Sequence, residues 1–300
     1  MSNSVISTIS KLACVLLLST PLAGQSQTAD TLFQDPPRDS NHPASMFVVH
    51  IPTHGTLING VIYSPPGAGP HPVVILYHGM PGNEQNLDLA QALRRSGWSV
   101  LTLHYRGSWG SPGIYSYRHL IEDGQAAVDF VRDRSNDARY FLDPQRIVLA
   151  GHSSGGFVAV LTATARPQIR ALVLFSASDD AGEAKAASAN PHKWRDWVND
   201  TYGEQESLMG CTPEGLAREA RAHANVWSFA AAAPHLIHMP MLMITADDGL
   251  RAEDEAFAHA IAAAGGRAPR LVHMPTDHPY SDHRIELLET VAKWLEPYRR

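Results

Sequence analysis

Apolar residues fall along this chain in two rhythms. Short, nearly unbroken apolar runs alternate with longer stretches in which an apolar residue returns every third or fourth position, the signatures of buried strands and one-sided helices. Met46-Phe47-Val48-Val49-His50-Ile51 and Leu57-Ile58-Asn59-Gly60-Val61-Ile62-Tyr63 are strand-like runs around Pro52-Thr53-His54-Gly55, which predicts a hairpin. Pro72-Val73-Val74-Ile75-Leu76-Tyr77 is apolar at even and odd positions alike, so it is expected to be a parallel strand covered on both faces.

Helical spacing follows in Glu84 to Arg95 through Leu87, Ala90 and Leu93, with Asn83 as the expected N-cap and Gly97 as the stop. Trp98 to His104 reads as another buried strand, opening into the glycine-rich loop Tyr105 to Gly113. Tyr117 to Arg134 returns to helical period, Ile147 to Ala150 and Ala171 to Phe175 to strand. The alternation breaks over residues 179–238, which carry helix-like segments, an Ala-rich tract and Trp194, Trp197 and Trp227 without a convincing strand. It resumes with strand Pro240 to Ala246, helix Glu253 to Ala264, strand Arg270 to Met274 and helix Ile285 to Leu295. The expected fold is α/β: a mostly parallel central sheet with helices on both faces, one domain over residues 30–300, and a helical cap insertion at about 179–238.

Composition narrows the class. A net charge of −6 with no basic cluster argues against nucleic acid as a partner. Lys11 followed by Leu12-Ala13-Cys14-Val15-Leu16-Leu17-Leu18 and then small or polar residues reads as a secretory signal within residues 1–29. The run is too short to cross a bilayer as a helix, so the mature chain is expected to be secreted or periplasmic and without a membrane span. A lipid anchor through Cys14 is disfavoured, because Lys11 stands where an apolar residue should precede the cysteine. With the leader removed, Cys211 stands alone and no intrachain disulfide can form.

The chemistry centres on Arg146-Ile147-Val148-Leu149-Ala150 running into Gly151-His152-Ser153-Ser154-Gly155 and then an apolar helical pattern. A serine on such a strand-to-helix turn needs small residues two positions away on each side, where strand and helix would otherwise collide. Its hydroxyl needs a base within hydrogen-bond reach and a third group to orient that base. Asp247-Asp248 follows one later strand and Asp277-His278 follows the next, with His283 as a rival base five residues on. Although the chain has sixteen histidines, no pair shows helical metal-ligand spacing around a glutamate, so no metal and no cofactor is expected.

Over roughly residues 46–298 the chain resembles the α/β-hydrolases, above all dienelactone-hydrolase-like enzymes and the catalytic domain of prolyl-oligopeptidase-like peptidases. The resemblance rests on His78-Gly79-Met80-Pro81-Gly82, Tyr105-Arg106-Gly107, Gly151-His152-Ser153-Ser154-Gly155-Gly156, the Asp pair, and His278-Pro279-Tyr280-Ser281-Asp282-His283-Arg284. It implies Ser153 as nucleophile, His278 as general base, and Asp248 in preference to Asp247 as the acid. It places the oxyanion hole at the main-chain amides of Met80 and Ser154, with His78 holding that loop and His152 as a packing neighbour. The implied substrate is a small-molecule ester or a short peptide. An ester is favoured, since the prolyl-oligopeptidase type usually carries a propeller that this sequence lacks. The alternatives are a peptidase or amidase using the same residues, and a catalytically silent binding module.

Overall fold

The computed structural model describes residues 32–203 and 207–300; the leader-like residues 1–29 lie outside them. Strands β1 (Ser45–Thr53), β2 (Thr56–Ser64), β3 (His71–Tyr77), β4 (Ser99–Leu103), β5 (Leu142–His152), β6 (Ala171–Phe175), β7 (Met241–Thr245) and β8 (Arg270–His273) form one sheet in the order β1-β2-β4-β3-β5-β6-β7-β8. The β1–β2 and β2–β4 pairs are antiparallel, and every pair from β4 through β8 is parallel. The expected hairpin closes at Thr53↔Thr56, with His54 (φ 40°) and Gly55 (φ 80°) both left-handed. That two-residue geometry matches the twist of the flanking strands.

Why the central strands are apolar throughout is visible in their packing. Val73, Ile75 and Tyr77 of β3 and Ile147 and Leu149 of β5 enter one core, while Val74, Leu76, Val148 and Ala150 enter the other. The first core is covered by α2 (Tyr117–Arg132), α4 (Ser154–Ala165) and α9 (Arg251–Ala263), the second by α1 (Leu87–Arg95) and α10 (Arg284–Leu295). Each fully buried aliphatic side chain contributes about 1.5–3 kcal/mol, so both faces hold the sheet together.

Among the boundaries that differ from the expected ones, three have a visible cause or consequence. Helix α1 begins at Leu87, not Glu84, and Asn83 does not cap it. Asn86 is left-handed (φ 55°), its amide bonds Glu84 Oε1 and its Oδ1 accepts from Arg284 Nη1, which diverts the chain until the next residue. Helix α2 ends at Arg132 because Asp133 is extended, and a short α3 (Arg134–Tyr140) follows. Strand β5 starts at Leu142, well before Ile147, pairing with His71 ahead of the continuous register.

Between β6 and β7 run α5 (Asp180–Ala187), α6 (Pro191–Tyr202), α7 (Pro213–Trp227) and α8 (Phe229–Ala232). Asp179 roots this segment at both ends: its carboxylate accepts from Gly182 N and from Phe229 N. The far side is joined to the loop after β4 by main-chain bonds, Met209 N to Gly107 O at 2.7 Å and Tyr115 N to Met209 O at 2.9 Å, around a Ser108–Leu208 bridge. That loop is itself pinned by Arg106, whose Nε and backbone N bond the buried Asp123 carboxylate at 2.7 Å. Among the described residues no helix is long and apolar enough to cross a membrane.

Candidate active site

Ser153 sits between β5 and α4 with φ 56° and ψ −130°, a conformation that disfavours any side chain. The turn is possible because its neighbours approach backbone to backbone. A Cβ on Gly151 would lie 2.2 Å from Gly155 O, and one on Gly155 2.2 Å from Tyr77 O and 2.7 Å from His78 O. These contacts are rigid main chain, so Gly155→Ala should destabilise the protein by about 3 kcal/mol or more, read as a lower denaturant midpoint. An unchanged midpoint would mean that the turn is looser than its contacts imply.

Gly79 packs directly on the serine, since a Cβ there would fall 2.7 Å from Ser153 Cβ. Met80 follows this contact directly in the chain. The amides of Met80 and Ser154 donate to no group among the described residues. Around them the loop is fixed by His78 Nδ1 donating to Gly79 O (2.7 Å), Tyr105 Oη to His78 O (3.1 Å) and Trp109 Nε1 to Pro81 O (2.7 Å). Burial pushes the His78 imidazole down to about 4, so it is a neutral brace with its second nitrogen bare.

His278 Nδ1 lies 2.8 Å from Asp248 Oδ2. The carboxylate side chain is 4 % exposed and the imidazole 38 %, so the acid is enclosed while the ring is partly open. Burial alone would raise the Asp248 carboxyl, but hydrogen bonds from His278, the nearby Ser176 hydroxyl and the Leu250 amide outweigh it and hold it at about 2. An ionised acceptor at Nδ1 fixes the proton there and leaves the lone pair on Nε2. Asp247 is placed differently: it is 65 % exposed, with Oδ1 3.3 Å from His273 Nε2. His283 precedes α10 and bonds Asp282 Oδ1 at 2.8 Å, away from the Asp248 pair.

His152 links the two halves of the site. Its ring lies 4.5 Å from that of His278, and its Nε2 donates to His278 O at 2.9 Å. Burial, reinforced by His278, lowers its pKa to about 3, so it packs as a neutral ring. The structure therefore brings the residue next to Ser153 against His278, and His278 against Asp248. Ser153 Oγ itself makes no hydrogen bond among the described residues, and none joins it to the His278 ring.

Two supporting residues were given no role from the sequence, although Tyr280 lies within the motif from His278 to Arg284. Tyr280 Oη donates to Ile244 O at 2.8 Å and lies 2.9 Å from Ser176 Oγ, anchoring the loop that carries His278 to the end of β7. Ser176 in turn stands beside Asp248. Their contacts span 36 and 104 residues, and no periodicity could reveal them.

This order of strands, with a left-handed serine between β5 and the helix after it, is that of the α/β-hydrolase fold. Residues 68–208 match the family model described as serine aminopeptidase, S33. An uncharacterized protein of Mycobacterium tuberculosis (strain H37Rv) is 36 % identical over 142 residues, covering 47 % of this chain and 48 % of that protein. The chain thus aligns with about half the length of this relative. A Pyrobaculum calidifontis esterase superposes with a TM-score of 0.63 at 20 % identity, over 90 % of this chain and 89 % of that one. A Pyrococcus horikoshii acylaminoacyl peptidase superposes with a TM-score of 0.62 at 16 % identity, over 84 % and 41 %.

Proposed function

We propose that the protein is a serine hydrolase that cleaves carboxylic esters through an acyl-enzyme. The observation that carries this reading is the enclosed Asp248–His278 pair, 2.8 Å apart, with its imidazole packed on the residue preceding a left-handed serine. In the proposed cycle Ser153 Oγ attacks the acyl carbonyl as His278 Nε2 takes its proton. The Met80 and Ser154 amides receive the oxyanion; one such donor is worth about 3 kcal/mol. Collapse expels the alcohol, which leaves with the proton from His278, and the acyl group stays on Ser153. Water then loses a proton to Nε2, attacks the acyl carbon and releases the acid as the proton returns to Ser153 Oγ.

The helical segment between β6 and β7 is proposed to cap the site and shape its acyl and leaving-group pockets, and the leader-like residues 1–29 support an exported enzyme. Esters are favoured because solved neighbours that cover nine-tenths of the chain are named as esterases. The amide reading draws on the matched family's description and on the acylaminoacyl peptidase. A fluorophosphonate probe should label the folded protein at Ser153, located by peptide mass spectrometry, and p-nitrophenyl esters should turn over faster than aminoacyl p-nitroanilides. A well-folded sample that takes no label would leave a silent binding module; faster anilide cleavage would make it an amidase.

A further inference from the structure

The peptide joining Ser153 to Ser154 supplies the proposed oxyanion amide, and its orientation is set from within the elbow and from the stretch that follows β6. Its carbonyl, Ser153 O, accepts from Gly156 N (2.8 Å) and from Ser178 N (3.3 Å). In a trans peptide the N–H points opposite to the C=O, so these two bonds turn the Ser154 N–H outward. The residues at each end of this arrangement share one acceptor. Ser154 Oγ and Ser178 Oγ both donate to Asp180 Oδ1, at 3.2 Å each.

Asp180 is the first residue of α5, where the inserted helical segment leaves the sheet, and is 1 % exposed. Its second oxygen, Oδ2, is buried without a partner. Among the described residues no ion pair compensates a charge there, so a neutral carboxyl that accepts through Oδ1 is the form that burial favours.

We propose that Asp180 is a positioning residue for the oxyanion site: by holding Ser154 and Ser178 together it fixes the Ser153–Ser154 peptide and couples it to the root of the inserted segment. This rests on the serine-hydrolase reading above. Asp180 touches no reacting atom, and its effect is transmitted through that one peptide.

Burial, with Glu183 on the same helix adding to it, pushes the Asp180 carboxyl up to about 8. Above that pH a negative charge would stand behind the oxyanion amide and oppose the charge developing in front of it. The other groups facing Asp180 are the phenols of Tyr105, Tyr115, Tyr117 and Tyr202, which burial keeps protonated beyond their ordinary range. Burial and Glu183 also push Glu253 of α9 up to about 9, so its titration must be separated from that of Asp180.

The test measures kcat and KM for a p-nitrophenyl ester from pH 6 to 10, with fluorophosphonate labelling and thermal unfolding on every variant. Asp180→Ala and Ser154→Ala should each lower kcat by about tenfold to a hundredfold with little change in KM, as expected for a misplaced catalytic group. Asp180→Asn keeps an oxygen for both hydroxyls, so it should retain most of the kcat at pH 7 and lose the alkaline decline of the parent protein. Glu253→Gln should keep that decline. Full kcat in Asp180→Ala or Ser154→Ala, in a protein whose Ser153 labels normally, would overturn this inference alone. If Asp180→Ala does not fold, Ser154→Ala and Asp180→Asn decide it: an alkaline limb unchanged in Asp180→Asn counts against it. A parent protein that takes no label overturns the functional reading and this inference with it.

Discussion

Ser153→Ala should lower ester turnover by about a millionfold, and adding His278→Ala to it should cost almost nothing more. In the proposed cycle the two side chains act on one proton in one step, so once the hydroxyl is gone the imidazole has nothing to activate. What remains is the rate supplied by binding and by the Met80 and Ser154 amides. The fold should be unaffected, because alanine keeps the backbone of the turn and removes only a half-buried hydroxyl with no hydrogen bond among the described residues. Steady-state ester hydrolysis, with thermal unfolding as the control, reads both parts. Turnover that survives in Ser153→Ala, or a double variant much slower than the single one, would mean that the serine and the histidine do not work together.

The second large effect separates neighbouring carboxylates. In the proposed triad Asp248→Asn should cut kcat by about ten-thousandfold at neutral pH, whereas Asp247→Asn should leave it near the parent value. An asparagine amide can donate to Nδ1, which would move the imidazole proton to Nε2 and block the base. Asp247 points to solvent and to His273, so its replacement leaves the His278 tautomer alone. Stability should show a matching pH dependence. The folded Asp248 carboxyl is held at about 2, below its ordinary 3.8, so it stabilises the native state above about pH 4 and loses that contribution as the pH falls toward 2. The stability gap between parent and Asp248→Asn should therefore narrow in acid, as followed by urea unfolding. Equal losses of kcat in the two variants would break the assignment.

How much of this could be read from the residues alone depends on the range of the force involved. The β3 run from Val73 to Tyr77 was legible because burial on both faces leaves no room for a polar residue, and the β1–β2 hairpin because His54-Gly55 tolerates left-handed backbone. Ser153, the Asp247-Asp248 pair and His278 stood out because each follows an apolar run at a short distance, whereas the choice of Asp248 within its pair came only from the resemblance. Asn83 was the wrong cap because Arg284, far along the chain, engages Asn86 instead. Asp180 and Ser176 were silent, and the anchoring role of Tyr280 was hidden inside its motif, for the same reason: their partners are fixed by three-dimensional packing and leave no rhythm in the order of residues.

The joint between the loop after β4 and the segment around Met209 is made of main-chain groups, Gly107, Ser108 and Tyr115 on one side and Leu208 and Met209 on the other. A seam stitched from amides and carbonyls is indifferent to which side chains hang from it. Ile114 and Met209, both largely exposed beside it, can therefore be exchanged for other residues without unpicking the join. Diversity could accumulate along that border while the machinery a few residues away stays as it is.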